Sequence, residues 1–435
     1  MPTARTAALA AAGCVAVIAG SILGVYPQAV FGAVVALLAA LVAVDRSRAV
    51  DPRRLTLARS GARTVRLGES TQVALSVRNP TGTGGRLRVR DAWTPSAGAA
   101  DEPYELSLPA GATALLPTVL TPTRRGDRPA GRVTVRSLGP WGLAFRQADH
   151  DVAWTLRVLP RFASRKHLPE KLSRLRTVEG STAIRGRGQG SEFDVLREYV
   201  PGDDVRSIDW RATARRGDVM LRTWRPERSR RVVCVLDTGR TSAVRVGDEP
   251  RLDAAMDAAL LLAAVAREAG DQVDLIAADH RVRTVVTAVQ GRSLLPRLIE
   301  AVAPLHPAMV ETDFELITSE VLRRERKRSL VVVFTALEPG ALGEGLLPVL
   351  PRLAARHRVL VAAVHDHALT ELAARPLDVP NDVYTAAAGA RALADRERIA
   401  GALSRNGVTV LDFPADVFAS RVTDAYLDLK ASGKL

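Results

Sequence analysis

From Thr6 to Val25 the chain carries no charge, and after Tyr26-Pro27-Gln28 a second uncharged apolar run extends from Ala29 to Val44. About 20 apolar residues in a helix cross a hydrocarbon core, and roughly 16 make a short span. Neither run has the polar face that a helix on a soluble core would show. The pattern therefore predicts a membrane hairpin. A cleaved signal peptide is the competing reading of the first run, weakened by the single preceding Arg5 and by the second run directly behind it. Arg46, Arg48, Arg53 and Arg54 follow the second run and the turn is uncharged. The positive-inside rule then places both ends, and the large remainder, on the cytoplasmic side.

Beyond residue 50 the period changes to two. VRLGESTQVALSVRN, RLRVRDAW, ATALLPTVLTPTRRG and GRVTVRSL alternate apolar and polar positions between Gly, Pro, Asn and Asp punctuation. Short strands at this spacing predict an all-β sandwich-like module over 51–160. A segment over 161–230 leads to a third pattern over 231–435. Arg231–Asp237 is a continuous apolar run ending on an acid, Arg251–Gly270 reads as a long helix with a Gly stop, and strand-like runs recur at Gln272–Ala277, Ser329–Phe334, His357–Val364 and Val408–Phe413. This alternation predicts a doubly wound, parallel α/β sheet. With the hairpin (1–50), the expected fold is a membrane α-hairpin, a β-module and an α/β domain.

The composition narrows the partners. Of 435 residues 47% are hydrophobic and 25% charged, which excludes a disordered chain. Lys and Arg number 61 against 47 Asp and Glu, a formal charge of +14. The arginines are spread along the chain without interleaved aromatic residues, so no nucleic-acid partner is expected. Cys14 and Cys234 both sit in apolar runs, which leaves no disulfide framework or cysteine-based zinc site.

Ligands of doubly wound sheets sit beyond the carboxyl ends of the strands. Those ends are Asp237–Ser242, Thr312-Asp313, Thr335–Glu338 and His365-Asp366-His367. The set resembles the metal-dependent adhesion site of von Willebrand factor A domains, in which an Asp-x-Ser-x-Ser turn, a Thr and a second Asp surround a divalent cation. Asp237, Thr241 and Thr312 fit that pattern, and Mg²⁺ is the cation it implies. Gly239 replaces the first Ser, and Ala336 stands where the second Asp is expected. With a hydroxyl and a carboxylate gone, the favoured reading is a structural turn in which Asp237 accepts backbone amides. His365-x-His367 has no third metal ligand at suitable spacing. Gly186-x-Gly188-x-Gly190 lacks the strand and helix of a dinucleotide turn.

The sharpest local signal is GQGSEFDVLREYVPGDDVRSIDWRATAR, from Gly188 to Arg215. It joins Arg197, Tyr199, Gly202, Asp203, Asp204, Arg206, Asp209, Trp210 and Arg215 in a short window. This stretch resembles the signature of the bacterial domain-of-unknown-function 58 (DUF58) family. Arg125-Gly126, Gly139–Leu143 and Val158–Arg161 fall where that family's β-module and exit strand would. The resemblance implies a membrane-tethered protein that works with a MoxR-type AAA+ ATPase, without an established reaction. Read physically, the signature is an ion-pair cassette: Asp203 and Asp204 can cap the next segment or accept from Arg197, Arg206 or Arg211, and Trp210 is a large apolar anchor. The cassette either staples this segment to the α/β domain or docks a partner. The expected function is that of an inner-membrane, multi-pass, non-enzymatic scaffold or adaptor in the assembly or maturation of envelope-associated complexes. The alternative is a divalent-metal-dependent hydrolase or ligand-binding domain using Asp237, Thr241 and Thr312.

Overall fold

In the computed structural model, which describes residues 2–100, 102–185, 192–201, 203, 205–225, 230–289, 293–376 and 380–435, both apolar runs are helical: α1 (Ala4–Ile22) and α2 (Pro27–Arg48). Pro27 opens α2, where its missing N–H costs nothing, and Gly24 takes the left-handed turn before it (φ 77°). The helices approach closely because Gly13 and Gly20 have no Cβ; one built on Gly13 would lie 2.4 Å from Val34 Cγ1. Ile22 and Leu23 are each 80% exposed, and Leu9, Val15, Ile18, Phe31 and Leu37 are exposed as well. Both helices are long and apolar enough to cross a membrane.

The second helix runs past its apolar stretch into Asp45, which is fully buried. Its carboxyl accepts the backbone N–H groups of Trp141 (2.8 Å), Leu143 (2.7 Å) and Ala144 (2.8 Å). Gly139 makes the approach feasible, since a Cβ there would fall 2.3 Å from the carboxyl. The start of α1 grips the same loop: Thr3 N–H donates to Leu143 O (2.9 Å) and Thr3 Oγ1 to Gly142 O (2.6 Å). Both free ends of the hairpin are thus fixed to one loop of the β-module.

Among the described residues that module has nine strands: β1 (Thr56–Gly61), β2 (Thr64–Arg66), β3 (Thr71–Arg78), β4 (Gly85–Trp93), β5 (Tyr104–Leu108), β6 (Thr113–Leu120), β7 (Gly126–Leu138), β8 (Phe145–His150) and β9 (Thr155–Leu159). One sheet runs β1-β3-β6; the other runs β2-β9-β7-β4-β5, with β8 also on β7. Alternate residues such as Val73, Leu75 and Val77 or Leu87 and Val89 face inward and are buried. The sheets are also joined by a buried ion pair. Arg59 on β1 meets Asp91 on β4 at 2.6 Å and donates to Gly131 O (3.0 Å), while the other Asp91 oxygen accepts from Trp93 Nε1 (3.1 Å) and Thr118 Oγ1 (3.0 Å).

The second unit, Pro160–Leu435, opens with α3 (Leu168–Arg185). An antiparallel pair follows, β10 (Glu192–Glu198) with β11 (Met220–Arg225), and α4 (Trp210–Arg216) lies in the connection between them. The main sheet then forms from β12 (Arg231–Asp237), β15 (Gln272–Ala278), β16 (Val282–Val289), β17 (Leu330–Phe334), β18 (Arg358–His365) and β19 (Thr409–Pro414). A two-residue ribbon, β13 (Arg245–Val246) with β14 (Glu249–Pro250), precedes α5 (Arg251–Glu268). The remaining helices are α6 (Leu294–Val302), α7 (Phe314–Arg324), α8 (Leu347–Ala354), α9 (His367–Ala373), α10 (Pro380–Arg405) and α11 (Ala415–Ala431).

The sheet order is β16-β15-β12-β17-β18-β19, with β12, β15, β17, β18 and β19 parallel. Val233 and Val235 face α7, α8 and α10 through Phe314, Val321, Leu350 and Leu403. On the other side α5 packs with α3, α6 and α11, and Phe334 meets Phe418 edge-on at 6.2 Å. The expected doubly wound sheet is therefore present, with one correction: edge strand β16 is antiparallel to β15. Three residues, Asp279–Arg281, separate the two strands, too few for the crossover a parallel partner needs.

Arg59→Ala should leave Asp91 buried without its cation, costing about 3–5 kcal/mol. Arg132→Ala removes a pair with Asp151 that is more than 70% exposed on both sides and should barely move the melt. Thermal unfolding of the two variants in parallel checks this; equal, small shifts would contradict it.

Candidate functional site

Between Arg231 and Asp237 β12 is apolar because it is sandwiched between two parallel neighbours, and its last residue, Asp237, is only 1% exposed. Four donors converge on its carboxyl. Oδ1 accepts from Gly239 N–H (2.8 Å) and Thr312 Oγ1 (2.5 Å); Oδ2 accepts from Thr335 Oγ1 (2.6 Å) and, at 3.4 Å, Thr241 Oγ1. Burial pushes the carboxyl above its ordinary range, against the opposing pull of those hydrogen bonds.

Three segments bring the donors together. The turn after β12 is a 3-10 helix over Arg240–Ala243, in which Ser242 Oγ donates to Asp237 O (2.5 Å). The loop holding Thr312 is tied to that turn by Arg240 N–H to Val310 O (2.8 Å), and Asp313 caps α7 through Leu316 N–H (2.8 Å). Thr335 follows directly on β17. Below the turn, Arg251 at the start of α5 donates to Thr241 O (2.8 Å) and meets Glu338 at 2.9 Å. A cavity of about 10 Å³, room for one water, lies between Ser242, Arg251, Thr335 and Phe418.

The structure thus joins Asp237, Thr241 and Thr312, as the sequence pattern anticipates. It adds Thr335, to which the sequence reading assigned no role; a hydroxyl at the carboxyl end of a buried strand was the available signal. Ala336, where the second acid was expected, is buried, and the Thr335 hydroxyl is on Asp237 instead. Gly239 cannot be read as a lost hydroxyl alone: a Cβ there would lie 2.1 Å from Thr312 Oγ1 and 3.1 Å from Asp237 Oδ1. The expected turn is present, but most of the donors to Asp237 are side-chain hydroxyls, with Gly239 N–H the single amide. Beside it, Thr238 Oγ1 donates to Asp279 (2.9 Å), which Arg283 also contacts at 2.6 Å. As for metal-ligating chemistry, no group of three or more His, Cys, Asp or Glu converges to hold an ion among the described residues. His365 Nδ1 instead lies 3.1 Å from Asp412, which Arg396 holds through two bonds (3.0 and 2.6 Å).

The signature residues form a local hydrogen-bonded unit on β10 and β11. Arg197 on β10 meets Asp203 at 2.6 Å, and Asp203 also accepts Val200 N–H (3.0 Å), which together hold its carboxyl below the usual range. Asp209 caps α4 by accepting Arg211 and Ala212 N–H (3.0 Å each) and pairs with Arg222 on β11 at 2.5 Å; the Arg222 bond leads the forces that lower its carboxyl. Tyr199 N–H donates to Val219 O (2.8 Å). Arg206 and Arg215 are exposed. Gly202 and Asp204 lie outside the described residues, as do Gly186, Gly188 and Gly190. Trp210 corrects its expected role as an anchor: it is 69% exposed, because Asp209 caps the helix there and turns the first helical side chain outward. Val200 (56%), Val205 (59%) and Val219 (41%) are exposed too.

Two outcomes follow. A carboxyl raised in the folded state contributes most below its unfolded pKa, and that contribution is lost as pH rises through the raised value. The stability difference between wild type and Asp237→Asn should therefore shrink from pH 4 to pH 8, measured by melts across roughly that range; a constant difference would contradict the assignment. In the signature, Asp209→Ala removes a helix cap and an ion pair to β11 and should lower the melting temperature more than Asp203→Ala does.

The chain is similar to an uncharacterised protein of Mycobacterium bovis, 30% identical over 188 residues, 42% of this chain and 58% of that protein. YeaD of Bacillus subtilis, also uncharacterised, is 28% identical over 113 residues, 26% of this chain and 28% of that one. The chain therefore spans less than two thirds of the length of these relatives. Among solved structures, the CARDB domain of the PF1109 protein from Pyrococcus furiosus aligns with 24% of this chain and 91% of that domain at 19% identity, with a TM-score of 0.19. The Escherichia coli alpha-2-macroglobulin structure aligns with 24% of this chain and 16% of that one, at 19% identity and a TM-score of 0.21. Overlaps of that size bear on neither fold nor activity. Residues 195–386, which hold most of the signature unit, the Asp237 cluster and all but the last strand of the main sheet, match the family described as "Protein of unknown function DUF58".

Proposed function

We propose that this protein is a membrane-anchored scaffold or adaptor without catalytic turnover, acting with a MoxR-type AAA+ ATPase in assembly or maturation of envelope-associated complexes. The observation that carries the anchoring is the exposed apolar surface of α1 and α2, whose free ends are both tied to the Gly139–Ala144 loop of the β-module. Exposed apolar surface of that extent needs a cover, and lipid supplies one. The inner membrane, with the β-module and the α/β unit on the cytoplasmic side, is the location the flanking arginines favour. The strand order, with its antiparallel edge, and the acid ending the central strand support reading the second unit as von Willebrand factor A-like. The ATPase partner comes from the family resemblance, and exposed Trp210 among Arg206, Arg211 and Arg215 offers it a docking face.

The alternative is a divalent-metal-dependent hydrolase or ligand-binding domain built on Asp237, Thr241 and Thr312. Their convergence favours it; the Thr335 hydroxyl on the carboxylate, in place of a second acid, opposes it. Hydrolytic turnover lost on Asp237→Ala would establish that alternative.

The membrane reading predicts that the full chain stays in the pellet through an alkaline carbonate wash and that a reporter fused after Leu435 reads as cytoplasmic. Release by carbonate would refute the anchor, and an active periplasmic phosphatase fusion would refute the orientation.

A further inference from the structure

Where α1 and α2 meet the β-module, Arg5, Arg46, Arg48, Arg53 and Arg54 lie at the ends of the hairpin or just beyond them. Arg5 donates to Trp141 O (3.3 Å), and the Arg48 guanidinium lies 5.6 Å from the Trp141 ring centroid. Arg46 lies in the last turn of α2, and Arg53 and Arg54 sit on the 3-10 turn that follows. All five are exposed, and Trp141 is 43% exposed beside them. The carboxylates of this stretch are already engaged. Asp45 is buried under three backbone amides, and Asp51 pairs with Arg146 at 2.8 Å and accepts Arg53 N–H. Among the described residues, none of Arg46, Arg48, Arg53 and Arg54 is paired with a carboxylate.

The collar therefore presents fixed positive charge and an indole ring at the base of two helices whose sides are apolar. An amphipathic aromatic ring at that level and arginines immediately beyond a span are the groups that meet lipid headgroups. Guanidinium is also the side chain best matched to a phosphate diester, through paired N–H donors. We propose that this collar binds the headgroups of anionic phospholipid, Arg46, Arg48, Arg53 and Arg54 contacting phosphate and Trp141 resting at the headgroup level. The Asp45 clamp is what keeps the collar in register, because it fixes the Trp141 loop against the end of α2. The inference rests on the membrane reading above and adds the lipid class.

The test uses the purified full chain in a neutral detergent, incubated with equal amounts of phosphatidylglycerol and phosphatidylcholine, repurified, and assayed for retained lipid by headgroup. The wild type should retain phosphatidylglycerol over phosphatidylcholine by at least about tenfold. The combined variant Arg46→Ala, Arg48→Ala, Arg53→Ala and Arg54→Ala, all on exposed side chains, should retain the two about equally while still resisting carbonate. Equal retention by the wild type, or an unchanged preference in the variant, overturns the proposal. So does displacement of phosphatidylglycerol by inorganic phosphate but not by chloride at equal ionic strength, which would make the collar a free-phosphate site. Carbonate release of the wild type would instead refute the membrane anchor itself, a separate failure.

Discussion

Asp45 follows the apolar stretch of α2, and its side chain is fully buried. It is accommodated because the Gly139–Ala144 loop turns three amides toward it and because Gly139 has no side chain to block the approach. Three amide donors to one carboxyl compensate the cost of burying it. Leaving them without an acceptor would cost about 1–3 kcal/mol for each buried donor. The position of the hairpin on its module follows from this clamp, with the contacts of Thr3 as its counterpart on α1. The arginine collar and the proposed insertion of the hairpin both require that fixed base.

In the second unit a buried carboxylate is used the opposite way. Asp237 ends the central strand where a doubly wound sheet exposes its ligand-binding edge, yet its lone pairs are occupied by Thr312, Thr335, Thr241 and Gly239. A hydroxyl that donates to a carboxylate ties the surrounding loops together without needing any other ion. The close fit of Gly239 under Thr312 serves the same end, since a larger residue would push the threonine away. The cluster therefore joins β12, the Thr312 loop and the residue after β17 through one carboxyl.

Much of this was legible in the sequence, and the exceptions have physical causes. The apolar runs, the two-residue period and the parallel strands were readable because burial on one or both faces imposes a pattern on neighbouring residues. β16 was missed because an edge strand is freed from that demand on one side, and VRTVVTAV mixes its apolar positions with Arg283 and Thr284. The convergence of Asp237, Thr241 and Thr312 was anticipated from strand-end positions, whereas the Thr335 bond depends on a rotamer that no spacing encodes. The pairing of Arg197 with Asp203 was one of several open choices and the structure selects it; Arg222, the partner of Asp209, sits on β11 and meets it only through the fold of the intervening chain. Trp210 was misjudged for a related reason. A tryptophan beside a charged cluster reads as an anchor until the cap at Asp209 fixes which way the first turn of α4 faces.

That exposed Trp210, in a unit otherwise stapled by ion pairs, is where the adaptor reading meets a partner most directly. A photo-crosslinking amino acid placed at position 210 of the full chain and activated in native membranes gives the decisive measurement. The account predicts a covalent adduct with an AAA+ ATPase of the MoxR type, reduced when the same position is probed in the Asp209→Ala background. A chain that forms no protein adduct at 210, and whose membranes show hydrolytic turnover lost on Asp237→Ala, would contradict it.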